Sequence, residues 1–145
     1  MRVLVPDTSV IVDGRLTQFL STLGEKVKVV VPEAVVAEIE HQANEGKAIG
    51  HVGLEELKKL REMADKGEIL LEFYGERPDL WQIRRAKAGE IDNMVREVAQ
   101  TLSATLVTGD QVQRDIAIAK GIDVIYLTTK KEVRHRLRIS LMTQP

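Results

Sequence analysis

Cysteine is absent from the 145 residues, which removes disulfide staples, thiolate metal sites and a cysteine nucleophile. Aromatic residues are scarce: Phe19, Phe73, Tyr74, Trp81 and Tyr126 make up the 3% aromatic content. They lie mostly inside apolar runs, so the pattern shows no row of stacking platforms for a single-stranded nucleic acid. Trp81, beside Arg84, Arg85 and Lys87, is the exception, and it reads as a half-buried residue on a helix with a solvated basic face. No stretch reaches the roughly 18 apolar residues of a membrane span, and Met1 to Val5 enters a strand pattern without a signal peptide's charged and apolar regions. A soluble chain that starts where written, in the cytoplasm, is expected. Leu141 to Pro145 reads like a linker that can lead into further sequence.

An excess of one charge is also lacking. Lys and Arg number 21 against 22 Asp and Glu, a net charge of -1, which excludes a polybasic coat and a disordered acidic tail. The placement is uneven. From Lys130 onward five Lys or Arg face one acid, net +4, which leaves -5 for residues 1 to 129. At this length one domain is expected, burying about two thirds of its unfolded surface.

What is present is alternation. Short β-branched runs at Arg2 to Pro6, Val27 to Val31, Ile69 to Phe73, Thr105 to Thr108 and Asp123 to Leu127 predict five strands, each apolar enough to be buried on both faces. Between them, helical spacing predicts helices over Gly14 to Leu23, from Pro32 to near Gly46, over Ile49 to Lys66, Pro78 to Lys87, Ile91 to Leu102 and Gln111 to Lys120, with a break at Gly89. Val133, Leu137 and Leu141 make Lys130 to Leu141 helix-compatible. Such βα alternation predicts an α/β fold with a parallel sheet.

Four acids fall at positions that this fold would bring together. Ligands in open parallel sheets bind outside the carboxyl ends of the strands. Asp7 follows the first strand and Asp110 the fourth; Glu38 lies in the early turns of the helix after strand two, and Asp92 opens the helix leading into strand four. Alone, Asp7, Asp92 and Asp110 read as cap, turn or dipole residues and Glu38 as a solvated helix-face residue; only their joint placement points to a site. Clustered carboxylates raise each other's pKa and cannot all ionise without a cation. Mg²⁺ takes oxygen ligands, uses one or two carboxylates and keeps several waters. A two-metal site of that kind hydrolyses phosphodiesters.

These residues resemble the PIN domains, small Mg²⁺- or Mn²⁺-dependent nucleases. Asp7-Thr8-Ser9 after a first strand is similar to the opening PIN motif, and Pro32 to Ile39 to the second, with Glu38 as its acid. Glu90-Ile91-Asp92 resembles the third, in which Asp92 fits better than Glu90. Leu106-Val107-Thr108-Gly109-Asp110 with Arg114-Asp115 and Ala117 resembles the fourth. The likeness runs to about Leu127 with all motifs in family order. It implies a three-layer α/β/α sandwich around a central parallel sheet of about five strands, as a nuclease domain over residues 1 to 129 and a basic helical tail or linker over 130 to 145. It further implies catalytic metal ligands at Asp7, Asp92 and Asp110, with Glu38 and Asp115 on a second ion or its waters. Thr8, Ser9 and Thr108 would donate hydrogen bonds behind them. Apart from the resemblance, Arg84, Arg85 and Lys87, should they contact substrate, would grip phosphates without reading sequence. The substrate implied is RNA rather than DNA. Val10 to Arg15 resembles PIN domains that precede a PilT-like ATPase or an RNA-binding TRAM module, so this chain reads as one module of a longer, homo-oligomeric protein. The segment Lys47 to Lys66 has no evident role at the site.

Rival patterns are weaker. Glu38-x-x-His41 has di-iron spacing, but that chemistry needs the motif twice in a four-helix bundle. His41, His51 and His135 lack zinc-like spacing and read as surface or packing residues. Gly46-Lys47-Ala48 lacks the frame of a phosphate loop. A phosphoacceptor receiver domain would need an acid after strand three, where Tyr74 and Gly75 stand. The remaining alternative is a non-catalytic oligomerisation or nucleic-acid-docking module of a larger ATPase.

Overall fold

The structure is a computed structural model and describes residues 1–128; the tail from Lys130 lies outside them. Strands β1 (Val3–Pro6), β2 (Lys28–Pro32), β3 (Leu70–Tyr74), β4 (Thr105–Thr108) and β5 (Val124–Tyr126) form one sheet in the order β3-β2-β1-β4-β5. Every pairing is parallel. With helices packed around that sheet, the chain is the α/β sandwich its pattern predicts, and each strand lies within one residue of its expected ends.

Burial on both faces holds for the three middle strands only. Leu4 and Val5 of β1, Val29 and Val31 of β2, and Leu106 and Val107 of β4 are sealed in the core. In β3, by contrast, Leu70 is 44% exposed, Phe73 38% and Tyr74 36%. The reason is topological: β3 is an edge strand paired only with β2. An apolar run signals a strand but does not say whether a helix covers it.

Eight helical segments connect the strands: α1 (Thr8–Val12), α2 (Leu16–Thr22), α3 (Glu33–Asn44), α4 (Ala48–Asp65), α5 (Leu80–Arg84), a 3₁₀ turn (Ala86–Ala88), α6 (Glu90–Thr101) and α7 (Gln111–Ala119). Helix α1 is a correction to the pattern. Val10, Ile11 and Val12 disfavour helix intrinsically, yet burial of Val10 and Ile11 and the Asp7 cap hold five residues helical. The expected helix from Pro78 begins instead at Leu80, where Asp79 and Gln82 form a reciprocal capping box. Gly89 breaks the chain as predicted, with φ at +91°, so Asp92 falls in the first turn of α6.

The role of Lys47 to Lys66 is now apparent. As α4 it packs on α1 and α3, and two glycines set the approach. A Cβ on Gly50 would stand 2.2 Å from the Ala43 backbone nitrogen, and one on Gly53 would stand 2.8 Å from Ile39 Cγ2. This helix therefore braces α3, the element that carries Glu38.

Candidate active site

The strand order reverses between β1 and β4. Chains leaving these neighbours diverge, opening a crevice at their carboxyl ends. Asp7 and Asp110 leave those two ends.

Asp7 is 1% exposed, and its two oxygens are spoken for. Oδ1 accepts from the Ser9 amide at 3.0 Å and from Ser9 Oγ at 2.5 Å; Oδ2 accepts from Thr108 Oγ1 at 2.5 Å. The Gly109 amide donates to Ser9 Oγ at 2.9 Å, and the Asp110 amide donates to Thr108 Oγ1 at 3.1 Å. Ser9 and Thr108 thus stitch the β1 end to the β4 end through Asp7. Asp110 caps α7, accepting from the Val112 amide at 2.8 Å and the Gln113 amide at 3.3 Å. Capping, the plain reading of both acids, is therefore correct and orients the carboxylates. From α1, Thr8 Oγ1 donates to Glu38 Oε2 at 3.1 Å.

Electrostatics bind the acids into one group. Burial pushes the Asp7 carboxyl up to about 7, against the Ser9 and Thr108 hydrogen bonds, with repulsion from Asp92 and Asp110 adding to the rise. Burial also raises Glu38, with Asp92 adding to it, and raises Asp92, with Asp110 adding and Arg96 opposing. Asp7, Glu38, Asp92 and Asp110 therefore share one neighbourhood. Asp115 is not among these couplings: it lies on the exposed side of α7, 3.0 Å from Arg114 Nε.

A cleft of about 580 Å³ opens beside Asp92 and Asp110, lined also by Lys87, Glu90, Arg96 and Gln113. Arg84, Arg85 and Lys87 are all exposed, and Lys87 alone of the three reaches this rim. Two lining residues escaped the sequence reading. Gln113, 1% exposed, donates through Nε2 to the Asp92 carbonyl at 3.1 Å and accepts from Arg96 Nη1. Its only signal was its place three residues after the capping Asp110, which predicts a local capping contact, not a bridge to α6. Arg96, four residues after Asp92, could have been found as the helical neighbour of an acid. Of the histidines, His41 pairs with Glu45 at 2.8 Å and is near enough to Glu38 to oppose the rise of its carboxyl, His51 is exposed, and His135 lies outside the described residues.

The donor set is all oxygen, as a hard divalent ion requires. Among the described residues, no three His, Cys, Asp or Glu side chains converge to hold an ion by themselves. Such oxygen donors suit Mg²⁺ or Mn²⁺ bound through one or two carboxylates with water and substrate completing the shell. The raised carboxyls fit as well, because a cation would offset the burial and the repulsion that raise them.

The PIN domain family model matches residues 4–119, and the chain belongs to the PIN domain family, a nuclease fold that is generally dependent on divalent metal. Over 127 residues it is 45% identical to an uncharacterised KH and PIN domain protein of Methanocaldococcus jannaschii, a match covering 87% of this chain and 20% of that protein. It is 31% identical to an uncharacterised PIN and TRAM domain protein of Thermus thermophilus, covering 83% of this chain and 33% of that one. It is 22% identical to the Holliday junction branch migration ATPase PINA of Sulfolobus acidocaldarius, covering 87% and 23% respectively. A solved domain of a functionally unknown Methanocaldococcus jannaschii protein superposes with a TM-score of 0.81 at 43% identity, covering 89% of this chain and 93% of that one. The chain thus spans a fifth to a third of the curated relatives it matches.

Proposed function

We propose that this chain is a Mg²⁺- or Mn²⁺-dependent endonuclease that hydrolyses phosphodiester bonds in single-stranded RNA. The observation that carries the reading is geometric: Asp7 and Asp110 leave the carboxyl ends of the neighbouring strands β1 and β4 at the switch point of the sheet, joined through Ser9 and Thr108, and Asp110 lines one cleft with Asp92. Asp7, Asp92 and Asp110 would serve the ion, one or two of them directly and the rest through water, with Glu38 serving a second ion or its waters. A bound ion supplies Lewis-acid polarisation of the phosphodiester and acidifies water for attack. The chain's own part is positioning. Ser9 and Thr108 keep Asp7 aimed through hydrogen bonds, Thr8 does the same for Glu38, and the buried setting excludes bulk water from Asp7. RNA is favoured because two relatives are named for KH and TRAM domains, and KH modules clamp single-stranded nucleic acid.

The test is cleavage of an end-labelled single-stranded RNA with Mg²⁺ or Mn²⁺. The wild type is expected to cut internally, and Asp7→Asn and Asp110→Asn to lose that activity while remaining folded. Wild type that cuts nothing, or variants that cut as well as wild type, would sink the reading.

A second reading has one observation in its favour: a relative sharing 87% of this chain is named as an ATPase in which the match covers 23% of the length. The domain would then serve as a non-catalytic docking or oligomerisation module. Metal binding without turnover, together with a defined oligomer that is lost on deleting residues 130–145, would favour it.

A further inference from the structure

The half-buried Trp81 expected from the pattern is instead 65% exposed, and Leu80 beside it is 53% exposed. Ile83, at 9%, is the inward anchor of α5, and the Asp79–Gln82 capping box closes its first turn. Trp81, Arg84 and Arg85 are spaced i, i+3 and i+4, so they share the outward face. Arg85 lies over the Trp81 ring, 5.5 Å from its centroid. Helix α5 packs on α3 and α6, the helices that present Glu38 and Asp92. The following 3₁₀ turn brings Lys87 to the rim of the acidic cleft.

An indole left open to water forgoes the gain of burial, which a bound partner can supply by covering it. Charge points the same way. Arg77 is tied to Glu40 at 2.8 Å, whereas among the described ion pairs none involves Arg84, Arg85 or Lys87. The result is one aromatic face beside three unpaired cations, in a row that ends at the acids. A polyanion approaching carboxylates needs cations at the entrance, and a partner that also offers a flat π-face is an unstacked nucleotide.

We propose that Trp81 is a stacking platform for one base of a single-stranded nucleic acid, whose phosphates pass along Arg84, Arg85 and Lys87 into the acidic cleft. The path beyond Lys87 rests on the nuclease reading; the binding of the strand at Trp81 does not. A duplex keeps its bases stacked on each other and cannot use the platform. The basic side chains grip phosphates without reading sequence.

Trp81 is the single tryptophan of the chain, so its fluorescence reports this site alone. The full chain in EDTA, where cleavage is blocked, is titrated with a short single-stranded oligoribonucleotide and then with the same sequence as a duplex. Saturable quenching by the single strand and none by the duplex is expected. By anisotropy of labelled RNA, Trp81→Ala should weaken binding by on the order of ten-fold and Trp81→Phe should restore most of it; the position is exposed, and circular dichroism verifies folding. Binding of labelled RNA with unmoved Trp81 emission, or Trp81→Ala binding as tightly as wild type, would overturn the platform. So would emission that changes on diluting the protein but not on adding RNA, which would assign the face to a second copy. Quenching without cleavage in Mn²⁺ would reject the nuclease reading and keep the platform; full cleavage by Trp81→Ala, with no quenching of the wild-type protein by RNA, would do the reverse.

Discussion

At the scale of single residues, Asp7 carries a conflict between folding and function. Its carboxyl is raised to about 7 from 3.8, so across that window the folded chain holds a proton that the unfolded chain has released. Stability of the metal-free protein therefore falls as pH rises from about 4 to 7. Asp7→Asn removes the ionisation, and its thermal midpoint in EDTA at pH 8 is expected to exceed wild type by several degrees. The gap should close near pH 4, and cleavage should be lost at every pH. A midpoint for the variant at or below wild type at pH 8 would contradict the buried, destabilised carboxylate. Thr108 is the complementary case. It donates to Asp7 Oδ2 at 2.5 Å, a bond to the ionised form, so Thr108→Val is expected to weaken Mn²⁺ binding by roughly 10- to 100-fold, read by isothermal titration.

Elements depend on contacts that single residues do not reveal. Gly50 and Gly53 both sit where α4 meets α3, but the obstacles differ: the Ala43 backbone at 2.2 Å for Gly50, the Ile39 side chain at 2.8 Å for Gly53. A side chain can rotate and a helix backbone cannot, so Gly50→Ala should lower the unfolding free energy measured in urea by about 2 kcal/mol or more, and Gly53→Ala by less. Equal effects would show that the helices slide apart easily. Glu56 supplies a similar link across elements. It is 1% exposed and accepts from the Thr17 amide at 3.1 Å and Thr17 Oγ1 at 2.8 Å, capping α2 from α4 where Arg15 provides no cap. Glu56→Ala leaves those half-buried donors without their acceptor, and is expected to cost about 1–3 kcal/mol, read by chemical denaturation. Helix-period reasoning marked the apolar face of α4 but could not identify an acid folded inward.

At the scale of the whole molecule, metal binding and folding are linked through the acid cluster. Saturating Mg²⁺ or Mn²⁺ should raise the wild-type midpoint, since a ligand at 100 times its Kd adds about 2.7 kcal/mol, and Asp7→Asn or Asp110→Asn should remove most of that shift. An equal shift in all three proteins would place the ion elsewhere. The sequence by itself determined the strands, most helices and the acids at their ends, because apolar periodicity and turn chemistry are local and are written within a few residues. It also placed Asp7 and Asp110 as caps, which they are. Tertiary structure alone decided where β3 and β5 stand, hence that β3 is uncovered. It decided that Asp110-x-x-Gln113 would bridge to Asp92 and Arg96, although Asp79-x-x-Gln82, with the same spacing, closes on itself. It left Trp81 in solvent. It also drew Asp7, Glu38, Asp92 and Asp110 close enough to raise three of their carboxyls. The physical reason is that burial and repulsion depend on distance through space, and the chain separation between those residues does not encode it.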